Sequence, residues 1–160
     1  MKKSRLLFLV SWIILLGLSV LITLGALGSL GTAYFSGQDS LTPAVGLEQI
    51  TSIGGEEAAD AFRGRRATAA TWALAFGLLS LLVVLVPYRR SERWSWWALL
   101  ISLGLSQLFS MGRVVMLGVS TGTGTAGFLF GFLMLGLLAG APRMFSRQES
   151  AVDSVIAPDQ

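Results

Sequence analysis

The sequence predicts an all-α fold, a four-transmembrane-helix bundle with a short helical extracytoplasmic loop between spans one and two. Three observations predict it. Four apolar stretches, Leu6–Leu30, Ala67–Val86, Trp94–Met111 and Gly127–Ala141, contain no Asp, Glu, His, Lys or Cys. Crossing the hydrocarbon core of a bilayer takes about 20 apolar residues as helix, and only helices or closed barrels satisfy their backbone there. The chain is 53% hydrophobic and only 13% charged, whereas a soluble domain carries about 25% charged residues. Finally, the cations sit at the ends of the apolar stretches, where they anchor and orient helices. A net charge of +3 distributed in this way points to a membrane rather than to nucleic acid.

The first span is placed at 6–30. Lys2, Lys3 and Arg5 precede it as in a secretory leader, but the apolar run far exceeds the roughly 7–15 residues of a signal-peptide core. It reads as an uncleaved helix. The segment 31–66 follows as the one substantial loop. Thr42-Pro43 resembles a helix cap followed by Pro at the first helical position. Pro43, Gly46, Leu47, Ile50 and Ile53 then recur at helical spacing, which predicts a short amphipathic helix. Gly54-Gly55 breaks it, and Glu56, Glu57 and Asp60 open a second helix, where acids suit the helix dipole. This loop is an ordered cap, a partner's docking surface or a ligand site.

Span two is placed at 67–87, with Ala69, Ala73, Gly77 and Ser80 on one face. A basic turn, Arg89-Arg90-Ser91-Glu92-Arg93, joins it to span three at 94–113. There Trp94, Trp96 and Trp97, beside Tyr88, have the composition of an aromatic belt at headgroup level. Span three is the most polar. At 100° per residue Ser95, Ser102, Ser106, Ser110 and Arg113 fall within an arc of about 80°, with Gln107 beside them. The row Ser102, Ser106, Gln107, Ser110 and Arg113 reads either as a polar crevice or as ordinary packing with Arg113 snorkelling to the interface. Span four, at 124–141, carries Gly127-x-x-x-Gly131 on one face and Gly136-x-x-x-Gly140 on the other. Small residues at this spacing let helices approach closely in lipid, so two such faces imply two neighbours, inside the bundle or in another subunit. Residues 1–145 form a single membrane domain, and 146–160 read as a disordered cytoplasmic tail.

Gly122-Thr-Gly-Thr-Ala-Gly127 matches the dinucleotide fingerprint in letters only. No strand precedes it and no acid follows within the span, so a tight turn with Thr123 or Thr125 capping span four is the better reading. With Cys 0 and His 0, disulfides and thiol chemistry are excluded and a serine nucleophile has no base within a span. No cofactor, metal site or catalytic residue is assigned. The basic residues divide eight to four between the two sides implied by four spans: Lys2, Lys3, Arg5, Arg89, Arg90, Arg93, Arg143 and Arg147 against Arg63, Arg65, Arg66 and Arg113. That excess places both termini in the cytoplasm.

The run from Arg89 through Trp94-Ser95-Trp96-Trp97-Ala98-Leu99 resembles small bacterial four-helix membrane proteins of the DoxX-like kind. The resemblance implies a four-helix bundle in a bacterial plasma membrane and assigns no functional residue. The expected function is that of a non-catalytic accessory or scaffold subunit. It would act through helix packing and the outer loop, with the lipid bilayer and homo- or hetero-oligomeric membrane partners around it and no nucleic acid. The alternative is a small permease or lipid-binding protein using the polar face of span three.

Overall fold

A computed structural model describes residues 2–35, 40–42, 45–118 and 123–146. It is built from four long helices: α1 (Lys2–Phe35), α2 (Leu47–Val83, continued by a π-helical turn over Val84–Tyr88), α3 (Arg93–Leu117) and α4 (Thr123–Ser146). All four are long and apolar enough to cross a membrane, over Ser4–Tyr34, Ile50–Tyr88, Arg93–Met116 and Thr123–Phe145. Large apolar side chains stay exposed along each, among them Leu9, Ile13 and Leu24 on α1, Trp72 and Leu79 on α2, Ile101 and Phe109 on α3, and Phe128 and Leu135 on α4. An apolar exterior of this extent marks a surface meant for contact with lipid or protein.

The connector between the first two spans differs from expectation. Ser40–Thr42 (β1) pairs antiparallel with Val45–Gly46 (β2), and the helix starts only at Leu47. Thr42 therefore does not cap a helix, because its backbone belongs to the ribbon; Pro43 lies outside the described residues. The expected break at Gly54-Gly55 is present: α2 consists of two helices that meet at Gly55, whose φ of 73° and ψ of −177° are non-helical. Only glycine adopts that conformation cheaply, which is why the break falls there. Thr123 is the first described residue of α4, and Thr125 lies in its first turn. The tail 147–160 and the Gly122 turn residue lie outside the described residues.

The chain divides into two compact units, Met1–Ser19 with Ser80–Gln160, and Val20–Leu79. In the first, α3 and α4 run antiparallel, and Leu99 and Leu103 of one and Leu133 and Leu137 of the other are fully buried. Each pair is four residues apart and so shares a helix face. The N-terminal part of α1 lies against Gly136, where an added Cβ would come within 2.9 Å of Leu15 and 3.2 Å of Ile14. In the second unit α1 and α2 make a comparably close approach. A Cβ on Gly77 would stand 2.7 Å from Thr23 Oγ1 and 3.1 Å from its Cα, and Arg66 Nη2 donates to Thr32 Oγ1 at 2.9 Å. The exposed Arg63–Asp60 pair at 3.3 Å contributes little, as surface ion pairs do.

The two glycine faces of α4 give a direct test of this packing. Gly140 has no room for a Cβ, which would collide with Tyr88 Oη and Ser11 Oγ, whereas nothing lies within 4 Å of a Cβ on Gly131. Gly140→Leu is expected to cost about 1–3 kcal/mol, the usual cost of overpacking. Gly131→Ala should instead raise the isolated chain's stability, by up to about 1 kcal/mol. Unfolding in mixed micelles with rising SDS measures both.

Candidate functional site

The most organised polar site gathers where the N-terminal part of α1, the α2–α3 turn and the end of α4 meet. Its local cause is Pro87. Proline has no N–H to close the α-helical bond to Val83, and the helix widens to a π turn over Val84–Tyr88, a feature frequent at functional positions. Trp12 on α1 donates its Nε1–H to the Val84 carbonyl at 3.2 Å. The turn also buries Tyr88 completely, its ring stacked on Phe8 with centroids 5.6 Å apart.

The proton of each hydroxyl in this cluster can be assigned. Ser11 Oγ lies 2.5 Å from Tyr88 Oη and 2.6 Å from the Gly136 carbonyl. A carbonyl only accepts, so the single Ser11 proton goes to Gly136, and Tyr88 must donate to Ser11. The result is a chain, Tyr88 to Ser11 to Gly136, that ties three segments together inside the first unit. Gly140 makes room for it.

The same end carries arginines laid on aromatic rings. The Arg143 guanidinium carbon is 4.3 Å from the Phe8 centroid, Arg89 is 5.9 Å from Trp12, and Arg93 is 5.4 Å from Phe145. Arg93 also donates to the Met144 carbonyl at 3.0 Å and the Phe145 carbonyl at 2.9 Å. These are among the last carbonyls of α4, where a cation opposes the helix dipole. Trp96 Nε1 donates to the Leu137 carbonyl at 2.9 Å. Glu92 accepts from Trp94 Nε1 at 2.6 Å, and Ser91 holds a positive φ of 61° with its Oγ buried and without a hydrogen bond.

The aromatic belt is therefore split. Trp94 and Trp97 are half exposed, while Tyr88 is wholly interior. The predicted polar row on α3 is only partly interior. Ser102 is half-buried, but its hydroxyl returns to its own helix at Ala98 O. Ser106 and Arg113 are exposed, and Gln107 and Ser110 are half-buried. Arg113 Nε reaches Ser110 O at 3.4 Å. Phe109, Ser110, Arg113 and Met116 line an open depression of about 440 Å³, so part of the row borders a shallow surface hollow.

The predicted packing residues also divide. Gly77, Gly136 and Gly140 are buried and in close contact with another helix segment. Ala69, Ala73 and Gly131 are exposed, and Gly127 touches only Met111 Cε at 3.9 Å. On α2 the buried face is Ala70, Gly77 and Ser80, which leaves Ala69 and Ala73 outside. Ser11, Trp12, Arg93 and Arg143 were not predicted as site residues. A Ser-Trp pair in a leucine-rich run and a Pro-Tyr pair closing a span were the available signals. No family model, curated protein or solved structure matches the chain.

Proton assignment in the buried chain predicts an ordering. Ser11→Ala strands the Tyr88 hydroxyl without an acceptor, an expected cost of about 1–3 kcal/mol. Tyr88→Phe leaves Ser11 bonded to Gly136 and loses only about 0.5–1.5 kcal/mol for the bond. The double variant should cost less than the sum of the two. Unfolding midpoints in SDS-containing micelles would show the reverse ordering if Ser11 were the donor to Tyr88.

Proposed function

We propose that this chain is an integral membrane protein that catalyses no reaction and serves as an accessory or scaffold subunit through helix packing. The observation that carries this reading is the division of the small-residue faces. Gly77, Gly136 and Gly140 are consumed by contacts within the chain, while Gly127 and Gly131 on α4 and Ala69 and Ala73 on α2 remain open. Close-approach faces of this kind suit a further helix in lipid. Interior polar side chains support the same reading. Ser11, Trp12, Arg93 and Trp96 each donate to a backbone carbonyl of another segment, which commits them to holding helices together. Native mass spectrometry after gentle solubilisation should find a stoichiometric membrane partner, a second copy or another protein. Gly131→Leu should release it without unfolding the chain. A strictly monomeric, partner-free wild type would overturn the proposal.

One observation favours the second reading, a small permease or lipid-binding protein: Ser110 and Arg113 border the hollow beside Phe109 and Met116. Arg113→Ala combined with Ser106→Leu should then reduce solute flux or lipid retention in vesicles at least severalfold, and an unchanged signal at equal expression would remove this reading.

A further inference from the structure

The geometry points to a binding site for the phosphate of an anionic phospholipid, built by Arg89 and Arg143 over the α1 residues Trp12 and Phe8. Charge is the first argument. Among the described residues of this unit Glu92 is the one carboxylate, and it already accepts from Trp94. Arg89, Arg90, Arg93 and Arg143 surround it in the same turn and at the neighbouring end of α4. Among the described residues no acid neutralises them.

The second argument is preorganisation. Phe8 and Trp12 lie four residues apart on α1, so their side chains start about 6 Å from each other along one face. Arg143 is held at 4.3 Å over Phe8 and Arg89 at 5.9 Å over Trp12. The rings that carry the two forks are thus neighbours on one helix face. Forks carried on neighbouring rings can serve one phosphate together, or two adjacent phosphates one each. A ring under a guanidinium orients it and leaves its N–H edge free. Among the described residues neither Arg89 nor Arg143 makes a hydrogen bond; each lies over a ring. Arg93 differs, since it spends two donors on α4 carbonyls and serves as a brace. Planar forks with free donors are the groups that bind phosphate bidentately.

The third argument is position. Both arginines sit at helix ends that terminate apolar spans, Ile50–Tyr88 and Thr123–Phe145. That is the depth of lipid phosphates when the spans cross a bilayer, and basic pockets between spans are known to hold anionic headgroups. The site thus rests on the membrane reading.

The test uses the full chain in nanodiscs of phosphatidylcholine with and without phosphatidylglycerol or cardiolipin. Native mass spectrometry reads the lipids that stay bound. Wild type should retain anionic over zwitterionic lipid, with the preference falling as salt rises. At about 1 kcal/mol per arginine, roughly a fivefold effect each, the double variant R89Q/R143Q should lower anionic retention about thirtyfold. R63Q, in the exposed pair with Asp60, should leave it unchanged. R89K/R143K keeps the charge but loses the forks, and should recover only part of the retention. Wild type without anionic preference overturns the site, as does equal retention by R89Q/R143Q, and neither outcome depends on how well a variant folds. Competition by inorganic phosphate as strong as that by the lipids would overturn the assignment to a headgroup. Failure to float with phosphatidylcholine vesicles would sink the membrane reading itself, whereas flotation without anionic preference sinks the lipid site alone.

Discussion

Among the described residues Tyr88 is the largest fully buried side chain, and its hydroxyl must find a partner in an interior that offers few. A buried hydroxyl without an acceptor costs about 1–3 kcal/mol. Ser11 supplies that acceptor and passes its own proton to Gly136. Everything else at this end follows from accommodating the pair. Gly140 has to lack a side chain so that the two oxygens fit. Pro87 and the π turn bring Tyr88 to its position beside α1. Phe8 stacks on the ring that results. One polar contact thus fixes the register of α1 and α4 and of the turn between α2 and α3. Leucine contacts alone specify register weakly, because one Leu replaces another at little cost.

The same economy runs through the other donors. In an apolar setting a side-chain N–H gains most from a backbone carbonyl with a spare lone pair. Helix ends and proline-interrupted turns are where such carbonyls are found. Trp12 takes one beside Pro87, and Arg93 takes two at the end of α4. These side chains do what a larger apolar core does in a soluble domain, where water drives helices together. That driving force fades between helices in lipid, so packing and hydrogen bonds carry the association.

The four helices were legible in the sequence because apolar length is a strong, local signal. Each observed helix contains its predicted span, and the break at Gly54-Gly55 coincides with the bend at Gly55. What failed was local in kind but settled by pairing. Thr42-Pro43 has a cap's composition, yet Thr42 belongs to the ribbon between Ser40–Thr42 and Val45–Gly46. The site was less legible. The serine row on α3 follows the helical period faithfully, but period says only that residues share a face. It does not say whether the face looks inward, and Ser106 looks out. Likewise Ala69 and Ala73 share a stripe with Gly77, yet the contact with Thr23 turns α2 so that Ala70 is buried in their place. Ser11 and Tyr88 lie 77 residues apart, and nothing short of the fold connects them.

Two glycine pairs with the same spacing occupy opposite faces of α4, and the sequence alone ranks them equally. Their fates differ because of what faces them. Gly136 and Gly140 meet Leu15, Ser11 and Tyr88, side chains whose positions leave no space for a Cβ. Gly131 meets nothing. Glycine in a helix interior costs about 1 kcal/mol relative to alanine, so a glycine that serves a close contact recovers that cost through the contact. One that faces open surface does not recover it within the chain. An uncompensated glycine on an exposed helix face, beside bulky Phe128 and Phe132, forms a notch between ridges. A notch of that shape gains free energy only when another helix lies in it. The cost borne at Gly131 therefore argues for a neighbour outside this chain, and it does so on grounds independent of charge at the opposite end of the helix.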